Sequence, residues 1–211
     1  MNCQSLTLSQ VEFQYPSNEL SIGSQPLLHQ ISLTLPPTGM LHIRGSNGSG
    51  KTSLLKLLAG MFRPDAGEIK YGDADIWSNI AAYQQNLSYL GHKNGFNPGL
   101  TVWEHCYLDW HIPPDAPALK QMLQNLDLWS MKDRACYLLS AGQKRRVALL
   151  RVLSSATQLW LLDEPLVGLD AEGVTFLMAC LQQHISQGGL VIYTSHQPLP
   201  WHATVHQEYA L

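Results

Sequence analysis

The octapeptide "GSNGSGKT", Gly45 to Thr52, constrains this chain more than any other stretch. Its spacing is G-x-x-x-x-G-K-[ST], a loop whose glycines let backbone N–H groups face nucleotide phosphates with no Cβ in the way. Such a loop needs a strand before it and a helix after it. "MLHIRG" (40–45) is apolar and β-forming, and "SLLKLLAG" (53–60) reads as a short helix stopped by Gly60. Gly45, Ser46, Asn47, Gly48, Ser49 and Gly50 are then the backbone cradle. Lys51 adds a point charge at the β- and γ-phosphates, Thr52 offers a hydroxyl to Mg2+, and Ser53 continues the set into the helix.

The surrounding periodicities predict an α/β fold. Residues 6–13 (LTLSQVEF) and 31–35 (ISLTL) alternate apolar and polar like half-buried strands, with a turn-rich stretch from Pro16 to Pro26 between them. They predict an antiparallel layer at the front of the chain. "RPDAGEI" (63–69) is a turn leading into a strand, and "LSYLGH" (87–92) is a strand candidate. From Lys93 to Leu138 the pattern is helical, including Leu119, Met122, Leu123 and Leu126 behind Pro117. "QLWLLD" (158–163) and "GLVIYTS" (189–195) are continuous apolar runs of the kind found in central parallel strands. Between them Val174, Leu177, Met178, Leu181 and Ile185 share a helical face closed by Gly188 and Gly189. Strands alternating with helices predict an open, mostly parallel sheet with a helical lobe inserted.

Composition narrows the partners. A formal net charge of -3 gives none of the basic excess that marks nucleic-acid binding. Cys3, Cys106, Cys136 and Cys180 lie far apart with no C-x-x-C or zinc spacing, as in a reduced cytosolic chain. The start of the chain lacks the pattern of a signal peptide, and no apolar run approaches the roughly 18 residues of a membrane span. Any membrane crossing is therefore expected from other subunits.

Two further stretches carry chemistry. "LWLLDEP" (159–165) is an apolar strand ending in two carboxylates: Asp163 is suited to the Mg2+ shell and Glu164 to orienting or deprotonating an attacking water. "LSAGQKRR" (139–146) pairs Ser140 with Gln143 in a capping box, so a helix starts there. Yet Lys144, Arg145 and Arg146 crowd that start, where the helix dipole disfavours cations. Either a phosphate bound beside Ser140 and Gly142 offsets them, or the cations are bystanders that splay into water or meet acidic neighbours while the backbone binds.

With these motifs in this order the chain resembles the ATP-binding cassette ATPases over nearly its whole length. By that resemblance Tyr15 stacks on adenine, Leu139 to Gln143 are the signature sequence, Gly168 to Asp170 the D-loop, and His196 the switch histidine. The resemblance implies a P-loop NTPase (RecA-like) core with an N-terminal antiparallel β layer and a helical subdomain. As one domain over 1–211, the core would be 1–92 and 141–211 and the helical subdomain 93–140. It implies ATP and Mg2+ as cofactors and a head-to-tail dimer of two copies around two ATP molecules. Ser140 and Gly142 would cap the γ-phosphate held by Lys51 of the other copy, Gln143 and Asp170 would also bind nucleotide, and Glu164 and His196 would be catalytic.

Two departures stand out: Ala141 replaces the commoner glycine of the signature, and His92 stands where the family usually has a metal-ligating Gln. A neutral His92 accepts a hydrogen bond from metal-bound water, or is simply a hydrogen-bonded histidine at a strand end. Within the family, "GSNGSGKTSLLKLLAG", "RPDAGEI", "GH", "LSAGQKRRVALLR" and "TSHQPL" are most similar to the ATPase subunits of haem exporters of cytochrome c biogenesis. That likeness implies integral permease partners of the haem-exporter type and a peripheral place on the cytoplasmic face of the bacterial inner membrane. Topology predicts a docking groove between the core and the helical lobe, near His92 to Trp103. The alternatives are the ATPase of a lipid or drug exporter, and a soluble cassette protein acting on ribosome or nucleic acid. The latter usually has a second cassette or a coiled-coil insertion, and this chain has neither.

Overall fold

The computed structural model describes residues 4–15, 26–108, 116–196, 199 and 206–211. Strands β1 (Leu6–Phe13), β2 (Leu28–Leu35), β4 (Ala66–Tyr71) and β5 (Ala74–Asp75) form an antiparallel sheet in the order β2-β1-β4-β5. A second, fully parallel sheet runs β6-β7-β8-β3-β9, from β3 (Met40–Arg44), β6 (Leu87–Leu90), β7 (Leu159–Asp163), β8 (Leu190–Thr194) and β9 (His206–Ala210). The helices are α1 (Lys51–Leu58), α2 (Ile80–Gln84), α3 (Val102–Leu108), α4 (Ala116–Asn125), α5 (Ala141–Leu153) and α6 (Ala171–Ser186). Short 3-10 turns flank α2 and α4 and precede α5.

The continuous apolar runs of the parallel strands are explained by burial on both faces. Successive residues point to opposite sides, and the two sides belong to different cores. Leu41, Ile43, Leu159, Leu161, Leu190 and Ile192 face α1 and the antiparallel sheet. Met40, Trp160, Leu162, Val191 and Tyr193 face α5, α6 and the helical segment, meeting Leu149, Leu177, Leu123 and Cys136. The parallel sheet is thus the middle layer. The segment expected to be helical contributes Val102, Cys106, Leu119, Leu123, Leu126 and Leu128 to the same core as α5 and α6.

In β1 the alternation changes phase. Leu6 and Leu8 are buried, but so are Val11 and Phe13, which a strict two-residue period would turn outward. A β-bulge absorbs the extra residue: Gln10 has φ 50, and pairing with β4 shifts between Ser9↔Glu68 and Glu12↔Ala66. Gly67 sits opposite the bulge at φ 80, where an added Cβ would lie 2.3 Å from the Gln10 carbonyl oxygen.

The expected elements are present with small boundary shifts: β2 starts at Leu28 rather than Ile31, α1 at Lys51, and β6 stops at Leu90. Most of the turn-rich stretch from Pro16 to Pro26, and Cys3, lie outside the described residues. The stretch "HQEYA" (206–210) is short and mostly polar and carries no clear strand signal. It forms the edge of the parallel sheet, where one side of the backbone pairs with β3.

Replacing Gly67 by Ala forces a side chain into left-handed backbone against two carbonyls. We expect a loss of more than about 1 kcal/mol in urea unfolding; an unchanged midpoint would show that the β1–β4 pair does not depend on the bulge.

Candidate nucleotide site

Because β3, β7 and β8 are parallel neighbours, their C-terminal ends share one rim of the sheet. Ligands of open α/β sheets bind at such a rim. The phosphate loop leaves β3 there and turns into α1. Gly45 is held under the side chain of Ser49 and beside the Leu211 carbonyl, so that no Cβ fits. Gly50 enters α1 at φ 100, with no side chain capping the helix, and the first N–H groups of α1 are left to face the loop interior. Lys51 is nearly buried, and its Nζ donates to the carbonyls of Gly45 and Ser46, 2.8 Å each, folding the ammonium over the loop. The Ser49 Oγ is buried with no hydrogen-bond partner among the described residues.

Asp163, 3% exposed at the end of β7, accepts from two hydroxyls. Thr52 Oγ1 donates to one carboxylate oxygen at 2.9 Å and Thr194 Oγ1 to the other at 2.7 Å. The next residue, Glu164, turns out of the strand with φ 51. Its N–H donates to the Thr194 carbonyl and lies 3.1 Å from Thr194 Oγ1. Its carboxylate meets His196, which donates its backbone N–H at 3.3 Å and places Nε2 at 3.6 Å. The segment bearing His196 is itself held from below, since the buried His42 on β3 donates Nε2–H to the Ser195 carbonyl at 3.2 Å. Tyr15 bonds Ser53 Oγ at 3.1 Å and stands edge-on against Phe13 and Phe62, leaving its ring partly exposed.

The start of α5 forms a second cluster. The capping box is complete: Ser140 Oγ accepts from the Gln143 N–H, and the Gln143 side chain accepts from the Ser140 N–H. Gly142 packs against Gly168, whose φ of 83 and 3.1 Å approach of an added Cβ to the Gly142 Cα exclude other residues. Asp170 caps α6 through the Gly173 N–H. No hydrogen bond among the described residues joins Ser140 or Gly142 to the phosphate loop of the same chain. His92 is exposed just beyond β6.

The cations of α5 take separate paths. Lys144 donates to the Tyr137 carbonyl and Arg146 pairs with Asp127. Arg145 turns inward, 8% exposed, and its guanidinium donates to the carbonyls of Gly91, Asp163 and Glu164. Burial lowers its pKa, against the opposing pull of Asp163, Tyr89 and Glu164. Thr194 and the destination of Arg145 were not anticipated. The signals were a polar residue closing an apolar strand and a charge on a helix face that is otherwise buried.

The donor set fits Mg2+ bound with a nucleotide. That ion takes one or two carboxylates and completes its shell with water and phosphate oxygens. Asp163 and Thr52 supply one carboxylate and one hydroxyl, while no cluster of three His, Cys, Asp or Glu exists among the described residues. The unpartnered Ser49 hydroxyl and the uncapped amides of α1 are donors suited to phosphate.

The fold and this rim are those of a P-loop NTPase, and comparison with known proteins gives its family. The family model described as "ABC transporter" matches residues 28–167. "Structure of ATP binding subunit of ABC transporter" superposes with a TM-score of 0.75 at 19% identity, covering 90% of this chain and 79% of that one. A putative ABC transporter ATP-binding protein from Pyrococcus furiosus gives 0.75 at 22% identity, over 97% and 96%. The "Cytochrome c biogenesis ATP-binding export protein CcmA" of Legionella pneumophila (strain Lens) is 46% identical over 187 residues, 89% of this chain and 94% of its own length. Proteins with the same name from Bordetella bronchiseptica (strain ATCC BAA-588 / NCTC 13252 / RB50) and Yersinia pestis bv. Antiqua (strain Nepal516) are 42% and 41% identical. They cover 83% and 82% of this chain and 78% and 80% of their own lengths. The chain belongs to the ABC transporter family of ATPases, and within it to the CcmA type.

Thr194→Val removes a donor to Asp163 while keeping the shape. We expect a loss of about 1–3 kcal/mol in denaturant unfolding, because a buried carboxylate oxygen is left unsatisfied. A stability equal to the parent would mean that Asp163 relies on Thr52 alone.

Proposed function

We propose that this chain hydrolyses ATP as the motor subunit of a haem exporter serving cytochrome c biogenesis. The observation that carries the ATPase reading is the convergence of Lys51, Thr52, Asp163 and Glu164 on one rim, with Glu164 aimed outward against His196. The export reading rests on the CcmA relatives, whose name gives an ATP-binding export protein of cytochrome c biogenesis. The haem cargo rests on family likeness.

In this reading the loop amides and Lys51 bind the phosphates, the Lys51 ammonium exchanging the Gly45 and Ser46 carbonyls for phosphate oxygens. Thr52 and Asp163 hold Mg2+, which when bound neutralises charge on the phosphates. Glu164 orients water and takes its proton at the carboxylate. His196 contacts the γ-phosphate, its backbone steadied by His42 through Ser195. Tyr15 offers its ring face to adenine. Gly45, Ser46, Asn47, Gly48, Ser49 and Gly50 complete the cradle, with Ser53 positioned by Tyr15. Ser140, Gly142, Gln143 and Asp170 act in a second copy of the chain, closing on this nucleotide as an ATP-sandwich dimer. With its ring in solvent, His92 is assigned a water-mediated contact to the metal.

The chain is read as one domain, with 93–140 as the helical subdomain and the rest as core. Integral permease subunits are its partners, at the cytoplasmic face of the inner membrane. Among the described residues no helix is long and apolar enough to cross a membrane. The docking groove lies at the segment from His92 to Trp103. Arg151 donates to the Gly95 carbonyl in that segment and, just before it, to the Tyr89 carbonyl.

Glu164→Gln keeps the shape of the site but removes the base. Binding of a fluorescent ATP analogue should stay within about twofold while turnover falls by about 10²-fold or more; retention of most activity would remove Glu164 from that role. Co-purification of the tagged chain from host membranes, with c-type cytochromes assayed in a Lys51→Ala strain, tests the exporter reading. Haem-exporter permeases and loss of cytochromes are expected. An unrelated permease with normal cytochromes would leave the ATPase and remove the haem assignment.

A further inference from the structure

The helix that carries the signature sequence reaches the acidic motif of its own chain through one side chain. Arg145 lies in the second turn of the region capped by Ser140, and its backbone neighbours Gly142 and Gly168 are in contact. From there its guanidinium crosses the interior to three carbonyls on three functional segments: Gly91, which precedes His92; Asp163, the proposed metal ligand; and Glu164, the proposed base. A planar fork with five donors can span such a set, whereas an ammonium on a flexible stem cannot hold all three at fixed angles.

Glu164 has a particular need of this contact. Its backbone is left-handed at φ 51, a conformation that is strained for a glutamate and persists only when its neighbours hold it. Three contacts hold its backbone, one of them the turn bond from the Val167 N–H to the Glu164 carbonyl at 3.3 Å. Thr194 receives the Glu164 N–H on one side of the peptide, and Arg145 donates to the Glu164 carbonyl on the other. The Thr194 anchor belongs to the rigid middle sheet, while the Arg145 anchor belongs to the signature helix. Movement of that helix therefore acts on the backbone of the base and, through Gly91, on the segment before His92.

We propose that Arg145 is a positioning residue for ATP hydrolysis, setting the backbone of Glu164 and linking it to the start of the signature helix and to the His92 segment. The role rests on the ATPase reading above. It acts through Glu164 on the water and leaves nucleotide binding to the phosphate loop.

The test uses the full chain co-expressed with its membrane partners, as parent, Arg145→Lys and Arg145→Met, measuring kcat and KM for ATP and the Kd of a fluorescent ATP analogue. Thermal melting of each variant reports the fold. The expected result is a kcat at least tenfold lower in Arg145→Met and intermediate in Arg145→Lys, with KM and Kd within twofold of the parent. A kcat for Arg145→Met within twofold of the parent overturns the proposal. So does a loss of kcat matched by an equal loss of nucleotide affinity and a lower melting temperature in both variants, since that is the behaviour of a merely structural residue. A parent complex that binds the analogue but hydrolyses no ATP overturns the ATPase reading itself, and this inference with it.

Discussion

The carboxylate of Asp163 is the contact on which the site depends. It is buried at the end of a strand and accepts from Thr52 on α1 and Thr194 on β8, so one side chain ties together the helix after the phosphate loop and two strands of the middle sheet. A buried carboxylate needs its lone pairs met, and here both oxygens are occupied by hydroxyls of neighbouring elements. The same bonds that satisfy it fix its direction toward the loop. Thr194 has a double part, since it also receives the N–H of Glu164. The two acids of "LWLLDEP" thus share an anchor, yet they part at once: Asp163 stays in the strand and Glu164 leaves it through a left-handed turn.

That geometry is possible because the middle sheet is parallel and covered on both sides. Alternate residues of β3, β7 and β8 enter two separate cores, which makes the strands rigid and brings their C-terminal ends to one rim. Displacing one strand end would disturb packing on both faces together. The antiparallel sheet contributes from outside the rim, through Tyr15 beyond the end of β1, whose ring is steadied by Phe13 and Phe62. The bulge at Gln10 keeps Phe13 on the buried face, so a single extra residue in β1 bears on where an aromatic stands at the nucleotide site.

Much of this was legible in the sequence, and the reasons differ by residue. The phosphate loop was legible because its function demands glycines at fixed spacing, and the central strands because two-sided burial leaves continuous apolar runs. The phase change in β1 was also written there, in the shift from Leu6 and Leu8 to Val11 and Phe13, but alternation alone does not say where the extra residue goes. β9 was not legible: an edge strand needs little apolar burial, and "HQEYA" has little to show. Thr194 and Arg145 act on groups more than a dozen residues away, and nothing local in "LVIYTS" or "QKRR" says which carboxylate or carbonyl they will meet.

The crowd of cations at the start of α5 illustrates the last point. Helix dipoles disfavour cations at the N-terminus by roughly 0.3–1 kcal/mol each when exposed, but each of these three has a partner of its own. Lys144 turns to a carbonyl, Arg146 to a carboxylate, and Arg145 into the interior toward the carbonyl oxygens where strands β6 and β7 end. Strand ends leave carbonyls without ladder partners, and a buried guanidinium is a donor set able to satisfy several of them together. The Ser140 and Gln143 side chains close the cap on each other. The remaining first-turn amides, including that of Gly142, are then the groups left for a phosphate, with the charged side chains serving the interior. In the proposed function the backbone, rather than the cations, is the binding element of this helix start.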